Sequence, residues 1–305
     1  MSVTRTGTHP VVRAAERTSP TSLLGTIVVL FKLRIVLLLV FASVGGALLG
    51  AHGRPAFGDL MLLLLTGTLS AAGASALNQY IERHNDGLMK RTARRPLVTG
   101  DVNARAVLVI ASAMVVVASA IALWAGNAAL AFFLAFGAFI YVGIYTLWLK
   151  PRSVLNVVIG GAAGSAAVLS GGAAVGQWAD PGVLVLSALL FTWSPIHFWS
   201  LALAYRKDYS RANVPMLPVV SSDQSALFWM IAHAAATGLF GLLLAFHGAM
   251  GWLYLALVAP ATLWLMWESV ALKWSYTGQR AMSVFKASNI YLSVVLLAVA
   301  VAAVL

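Results

Sequence analysis

Nine stretches of this chain, each about twenty residues long and nearly free of charge, constrain the fold more than any other feature. They lie near 27–50, 58–81, 104–124, 127–149, 154–176, 182–204, 225–247, 250–272 and 284–305. Coiled as helices, runs of this length match the hydrocarbon thickness of a bilayer. A membrane barrel would alternate apolar and polar residues, whereas these runs are continuous. The chain is 61% hydrophobic and 10% charged. Soluble domains carry about a quarter charged residues, and a soluble fold this apolar would expose large greasy patches. The expectation is an all-α polytopic membrane protein with nine transmembrane helices.

The charges then orient it. With the N-terminus in the cytoplasm, nineteen of the twenty Lys and Arg residues fall on the cytoplasmic side, and Arg54 is the exception. That asymmetry is the positive-inside pattern, so the net charge of +11 reports topology rather than nucleic-acid binding. The C-terminus then lies outside. Residues 1–26 are polar and contain no apolar run, which argues against a cleaved signal peptide. They are expected to form a disordered cytoplasmic tail, with 27–305 as one intramembrane domain. Zero cysteines exclude disulfides, zinc thiolate sites and thiol catalysis. The loops on the outer side are too short to build a site, so function is expected at the cytoplasmic face of a bacterial plasma membrane.

Two helix ends on that face carry the chemistry. If the second helix continues past its apolar run, Asn78, Glu82 and Asp86 recur every four residues and share one face. Hard oxygen ligands on one stripe suit Mg²⁺, which commonly bridges to substrate phosphates. Lys90, Arg91, Arg94 and Arg95 follow at once, and arginine forks grip phosphate bidentately. The combination points to a metal–diphosphate site. Taken singly, the basic run is an ordinary topology signal, Asn78 is interhelical glue, and the acids pair with Arg83 and Lys90.

The second end runs from Trp193 to Pro218. Asp208 sits there among Arg206, Lys207 and Arg211, either as a plain ion pair or as the other half of a divided site. His197 lies about three turns deeper in the same helix. It reads either as an interhelical contact or as an iron ligand or proton-handling group near a substrate. Pro195 is expected to kink that helix and open room beside it.

The run from Asn78 through Glu82-Arg83 and Asp86 to Met89, Arg91-Thr92 and Arg95-Pro96 resembles the first aspartate-rich motif of the UbiA prenyltransferase superfamily. His197-Phe-Trp, Tyr205-Arg-Lys207-Asp208-Tyr209 and Val214-Pro215-Met216-Leu217-Pro218 resemble the second motif of its heme-modifying branch. The resemblance covers the whole chain and implies helices around a central cavity. It implies transfer of a farnesyl group from farnesyl diphosphate to heme b with addition of water, giving heme O and diphosphate. It also implies Mg²⁺ held by Asn78, Glu82, Asp86 and Asp208. Diphosphate would be bound by Arg83, Lys90, Arg91, Arg94, Arg95, Lys207 and Tyr209, and heme by His197. Heme b is then a substrate, and heme A synthase or terminal-oxidase assembly a partner. Many superfamily members carry a further acid where this chain has Ala212, which leaves metal binding at the second tip to Asp208. His84 and Asn85 are atypical of the first motif and receive no role. Rival readings are another aromatic acceptor such as a quinone precursor, a transporter of a phosphorylated or anionic lipid, and a non-catalytic assembly factor.

Overall fold

The computed structural model describes residues 22–305; residues 1–21, most of the expected tail, lie outside the described residues. Among the described residues every regular element is helical, and nine helices are long and apolar enough to cross a bilayer. The expected all-α membrane architecture holds.

The first span differs from expectation. Sequence reads one helix over 27–50 after a disordered tail. Instead α1 (Leu23–Leu30) already forms a helix, capped by the Ser22 hydroxyl, which accepts from the Gly25 amide at 3.1 Å. The helix then breaks, and α2 (Leu33–Gly50) starts anew. The break is Lys32, whose φ of 50° and ψ of 48° are left-handed. A helix end leaves carbonyls without donors. Here the Gln79 side-chain amide donates to Val29 O at 2.6 Å and Leu30 O at 2.9 Å. No periodicity within the segment could show this, because the stabilising group comes from another helix.

Thirty residues form α3 (Phe57–Asp86). At 1.5 Å per residue it is about 45 Å long, well beyond the ~30 Å hydrocarbon core. Its last turns therefore carry Asn78, Glu82 and Asp86 toward the membrane surface on one continuous helix. A folded loop and α4 (Pro96–Thr99) lead to α5 (Ala104–Trp124). The fourth span is α6 (Ala128–Ala138) running into a π-helical stretch, Phe139–Leu149. The fifth is α7 (Asn156–Gly160) and α8 (Ala162–Ala174), joined at Gly161. The sixth, α9 (Pro181–Ala204), is followed by the surface helices α10 (Arg206–Arg211) and α11 (Leu217–Val220). The last three spans are α12 (Asp223–Leu243), α13 (Trp252–Ala271) and α14 (Gly278–Val304). The helix α14 begins before the expected residue 284 because Thr277 caps it, its hydroxyl accepting from the Arg280 amide.

Small residues divide two tasks. A side chain at Gly46 would run into the Val168 carbonyl, and one at Gly171 into the Ser43 carbonyl, so α2 and α8 cross with backbones nearly touching. Gly160 and Gly164, by contrast, line the central cavity. The helix α9 stays continuous through Pro195. Proline cannot donate to the carbonyl four residues earlier, Phe191 O. Gly161 packs against that carbonyl, where a Cβ would lie 2.8 Å away.

Two apolar clusters fix the ends of the bundle. One, built from residues such as Leu49, Leu186, Tyr254 and Val295, joins α2, α9, α13 and α14. The other contains Met89, Tyr145, Trp199, Tyr209, Met216 and Val284. Met89 follows α3 closely and Tyr209 lies on α10, so the two chemically loaded helix ends meet at the same end of the bundle. At the opposite end the short loops are clamped together. Asp180 Oδ1 accepts from the Gly182 and Val183 amides and lies 3.2 Å from His247 Nε2, and the His247 ring stacks on His52.

Candidate active site

A cavity of about 860 Å³ opens inside the ring of helices. That is at the upper end of the range for small-molecule sites. Its charged end is built by α3, the Lys32 break and the π-helical stretch. Each oxygen-bearing residue of the α3 stripe is buried and meets its own nitrogen partner. Asn78 Oδ1 accepts from Lys32 Nζ at 2.5 Å, and Asn78 Nδ2 donates to Thr146 Oγ1 at 2.9 Å. Glu82 Oε1 accepts from Lys150 Nζ at 2.5 Å. Asp86 Oδ2 accepts from Arg95 Nη1 at 2.5 Å. Arg95 is held there because the loop folds back, with Thr92 Oγ1 donating to the Asp86 carbonyl at 2.9 Å.

The π-helical stretch explains the remaining groups. Its hydrogen bonds span five residues instead of four. The Lys150 amide donates to Tyr145 O, and Thr146 Oγ1 donates to Tyr141 O. Side chains four to five residues apart therefore stack on one face, and Tyr141, Tyr145, Thr146 and Lys150 all line the cavity. The rings of Tyr141 and Tyr145 lie parallel at 5.8 Å. Lys32 Nζ also donates to Tyr141 OH at 3.1 Å.

Burial and the second cation at Arg95 bring Lys32 down to about 7. Lys150 goes the other way. Burial disfavours its charge, but the Glu82 carboxylate outweighs that and holds the ammonium protonated well above its ordinary range.

Another part of the cavity wall, on α9 and α14, is aromatic. His197 on α9 stacks on Trp193 at 4.3 Å between ring centres and packs on Phe285 of α14 at 4.5 Å. Cations and oxygen-bearing side chains in one part of the wall, with aromatic rings and an imidazole in another, suit an amphiphile with an anionic head beside a second, flat substrate.

The sequence matches the model of the UbiA prenyltransferase family over residues 38–302. The chain belongs to the UbiA prenyltransferase family. It is 41% identical to protoheme IX farnesyltransferase 2 of Paramagnetospirillum magneticum, covering 89% of this chain and 94% of that one. Protoheme IX farnesyltransferase of Metallosphaera sedula is 37% identical, with 88% and 92% covered. The Thermus thermophilus protein of the same name is 39% identical over 89% of this chain, which spans 45% of that relative's length. Among solved structures, one described as digeranylgeranylglyceryl phosphate synthase in membranes superimposes with a TM-score of 0.77 at 17% identity, covering 92% and 98% of the two chains. A UbiA homologue from Archaeoglobus fulgidus bound to GPP and Mg²⁺ gives 0.63 at 16% identity, covering 90% and 99%. These structures share the fold.

In this UbiA family member the sequence-predicted residues fall into two groups. Asn78, Glu82, Asp86, Arg91, Arg95, His197 and Tyr209 line the one cavity, as does the unassigned Asn85. Arg83, Lys90, Arg94, Lys207 and Asp208 are not part of its wall. Arg83 sits one helical step round from Glu82 and folds over the Tyr80 ring, donating to the Tyr80 carbonyl at 2.5 Å. Lys90, Arg94 and Lys207 are exposed. Asp208 is buried, 3.6 Å from Arg211 Nη1, and its neighbour Tyr209 takes the cavity-facing position. Among the described residues no three His, Cys, Asp or Glu side chains gather as a metal cluster.

Sequence reasoning missed Lys32, Tyr141, Tyr145, Thr146 and Lys150 as site residues. It read the two lysines only as topology signals. One clue was present: Lys32 interrupts an apolar run that otherwise extends from Leu23 to Leu49, apart from Arg34 and a few small residues. Ionisable residues at such positions are candidates for function.

Proposed function

We propose that this chain transfers the farnesyl group of farnesyl diphosphate to a vinyl group of protoheme IX, with addition of water, giving heme O and diphosphate. The carrying observation is one cavity lined both by Lys32, Lys150, Arg91 and Arg95 and by His197 held between aromatic rings. The relatives named protoheme IX farnesyltransferase support the choice of substrates.

Diphosphate leaves when the carbon–oxygen bond of the allylic ester breaks and the electron pair goes to oxygen. Lys32, Lys150, Arg91 and Arg95 stand where that negative charge would grow. The donor set is of the kind a hard divalent cation takes: two carboxylates and an amide on one buried stripe, of which Glu82 and Asp86 each give only one oxygen to a cation, Lys150 and Arg95. Mg²⁺ held by Asn78, Glu82 and Asp86 would supply Lewis-acid neutralisation of the leaving group, with Asp208, outside the cavity wall, acting on it only at a distance. Tyr141 and Tyr145 lie beside the charged end and shield the allylic cation from premature hydration. The heme vinyl carbon attacks that cation, and the new carbocation takes a hydroxyl from water, whose proton passes to the released diphosphate. His197 ligates the heme iron and so orients the porphyrin. Site and cations face the cytoplasm of a bacterial plasma membrane, and the product passes to heme A synthase or to oxidase assembly.

The test is direct. Purified protein with heme b, farnesyl diphosphate and Mg²⁺ should give a product with the mass of heme O, and 4-hydroxybenzoate in place of heme should give none. Prenylated 4-hydroxybenzoate with unmodified heme would replace this reading by the quinone-precursor one. No diphosphate release with any acceptor would leave the transporter or the assembly factor.

A further inference from the structure

The environment of His197 engages one of its nitrogens and leaves the other free. His197 Nδ1 lies 3.1 Å from Ser288 Oγ on α14. Ser288 is fully buried, and its hydroxyl donates to the Phe285 carbonyl at 2.8 Å. A serine hydroxyl has one proton to give. With that proton on the Phe285 carbonyl, Ser288 Oγ can only accept from the imidazole, which therefore carries its proton on Nδ1. The lone pair is then on Nε2, and among the described residues Nε2 makes no hydrogen bond. A second link locks the register of the two helices: Trp193 Nε1 donates to the Ser288 backbone carbonyl at 2.8 Å. Trp193 also stacks on the His197 ring, so the imidazole is fixed in plane and in rotation.

We infer that Ser288 is a positioning residue for substrate binding. It holds His197 as the Nδ1–H tautomer and presents Nε2 as an axial donor to the iron of a metalloporphyrin substrate. Metal-binding histidines commonly give their other N–H to an acceptor that fixes the ring and tunes its basicity. This rests on the proposed reading that the cavity takes heme, and it adds the residue and the atom through which the iron is held. The alternative, that Ser288 serves only to join α9 to α14, predicts no effect on iron.

The experiment titrates heme b into the purified full-length protein in detergent and reads the Soret band and the iron–histidine stretch of the reduced complex. Wild type should show a histidine-ligated spectrum that His197→Ala loses. Ser288→Ala should keep a histidine-type spectrum at saturation, with a shifted iron–histidine stretch and heme affinity about tenfold weaker. Ser288→Thr, which restores the hydroxyl, should recover both, and KM for farnesyl diphosphate should stay near wild type in Ser288→Ala. An unchanged spectrum in His197→Ala would overturn iron ligation by His197, and Ser288's role with it. A changed spectrum in His197→Ala beside wild-type affinity and stretch in Ser288→Ala would overturn the role of Ser288 alone. If Ser288→Ala fails to insert, Ser288→Cys makes the same comparison, since its thiol keeps the volume and accepts weakly.

Discussion

The two loaded helix ends look alike in sequence, each an acid amid cations just past an apolar run, yet the fold uses them differently. The helix α3 continues without a break through Asn78, Glu82 and Asp86. Its four-residue spacing is therefore converted directly into a stripe facing the cavity. The helix α9 stops at Ala204, and the chain turns at Tyr205 before α10 begins. Phase is lost across that turn. Tyr209 then faces the cavity and Asp208 turns to Arg211. An acid near a membrane surface becomes a site residue only if the helix carrying it keeps its register up to that point.

Four substitution experiments test this asymmetry. The largest effect is expected for Asp86→Asn, with kcat reduced by about 10²–10³ at saturating Mg²⁺, as for loss of a central group that neutralises developing charge. Asp208→Asn should cost no more than about tenfold if the second tip contributes at a distance, read in the same turnover assay. Equal losses at the two positions would show that the tips act as one symmetric clamp.

The next concerns the pairs along the stripe. Lys150→Met leaves the Glu82 carboxylate buried without its partner, which should destabilise the protein by about 3–5 kcal/mol. Glu82→Gln with Lys150→Met should regain much of that, as seen by thermal unfolding in detergent. Additive losses would mean the two residues do not depend on each other.

A pH profile sharpens the role of Lys32. Its folded-state pKa lies below the ordinary lysine value, near 7, so the protein releases this proton as pH rises from 6 to 8. An anionic head binds the protonated form better. KM for farnesyl diphosphate should therefore rise by up to about tenfold over that window. Lys32→Arg, which stays charged, should flatten the profile. A wild-type KM that is flat from pH 6 to 8 would remove Lys32 from the diphosphate site. The smallest effects are expected for Arg94→Ala and Lys207→Ala, under about twofold in kcat/KM, because both side chains are exposed away from the cavity wall.

Legibility followed helix regularity. The stripe on α3 was readable because a continuous α-helix turns a spacing of four into one face. The cavity wall from Tyr141 to Lys150 was not, since the stretch is π-helical and an α-helical period would turn Thr146 and Lys150 away from Tyr141 and Tyr145. Lys32 was hidden for another reason: its left-handed backbone is supported by Gln79, 47 positions away in sequence. His197 was visible as a lone imidazole in an apolar span, but Ser288, whose hydroxyl its Nδ1 meets, lies on the last helix.

By itself the sequence determined the number of helices long and apolar enough to cross a membrane and the chemical character of the α3 face. Those follow from composition and local periodicity, which a bilayer reads one segment at a time. Only the tertiary structure decided which lysine meets which acid, which tip faces the cavity and which nitrogen of His197 is free. Each of those depends on a partner from a different helix, and contacts between distant segments leave no periodic trace in the chain.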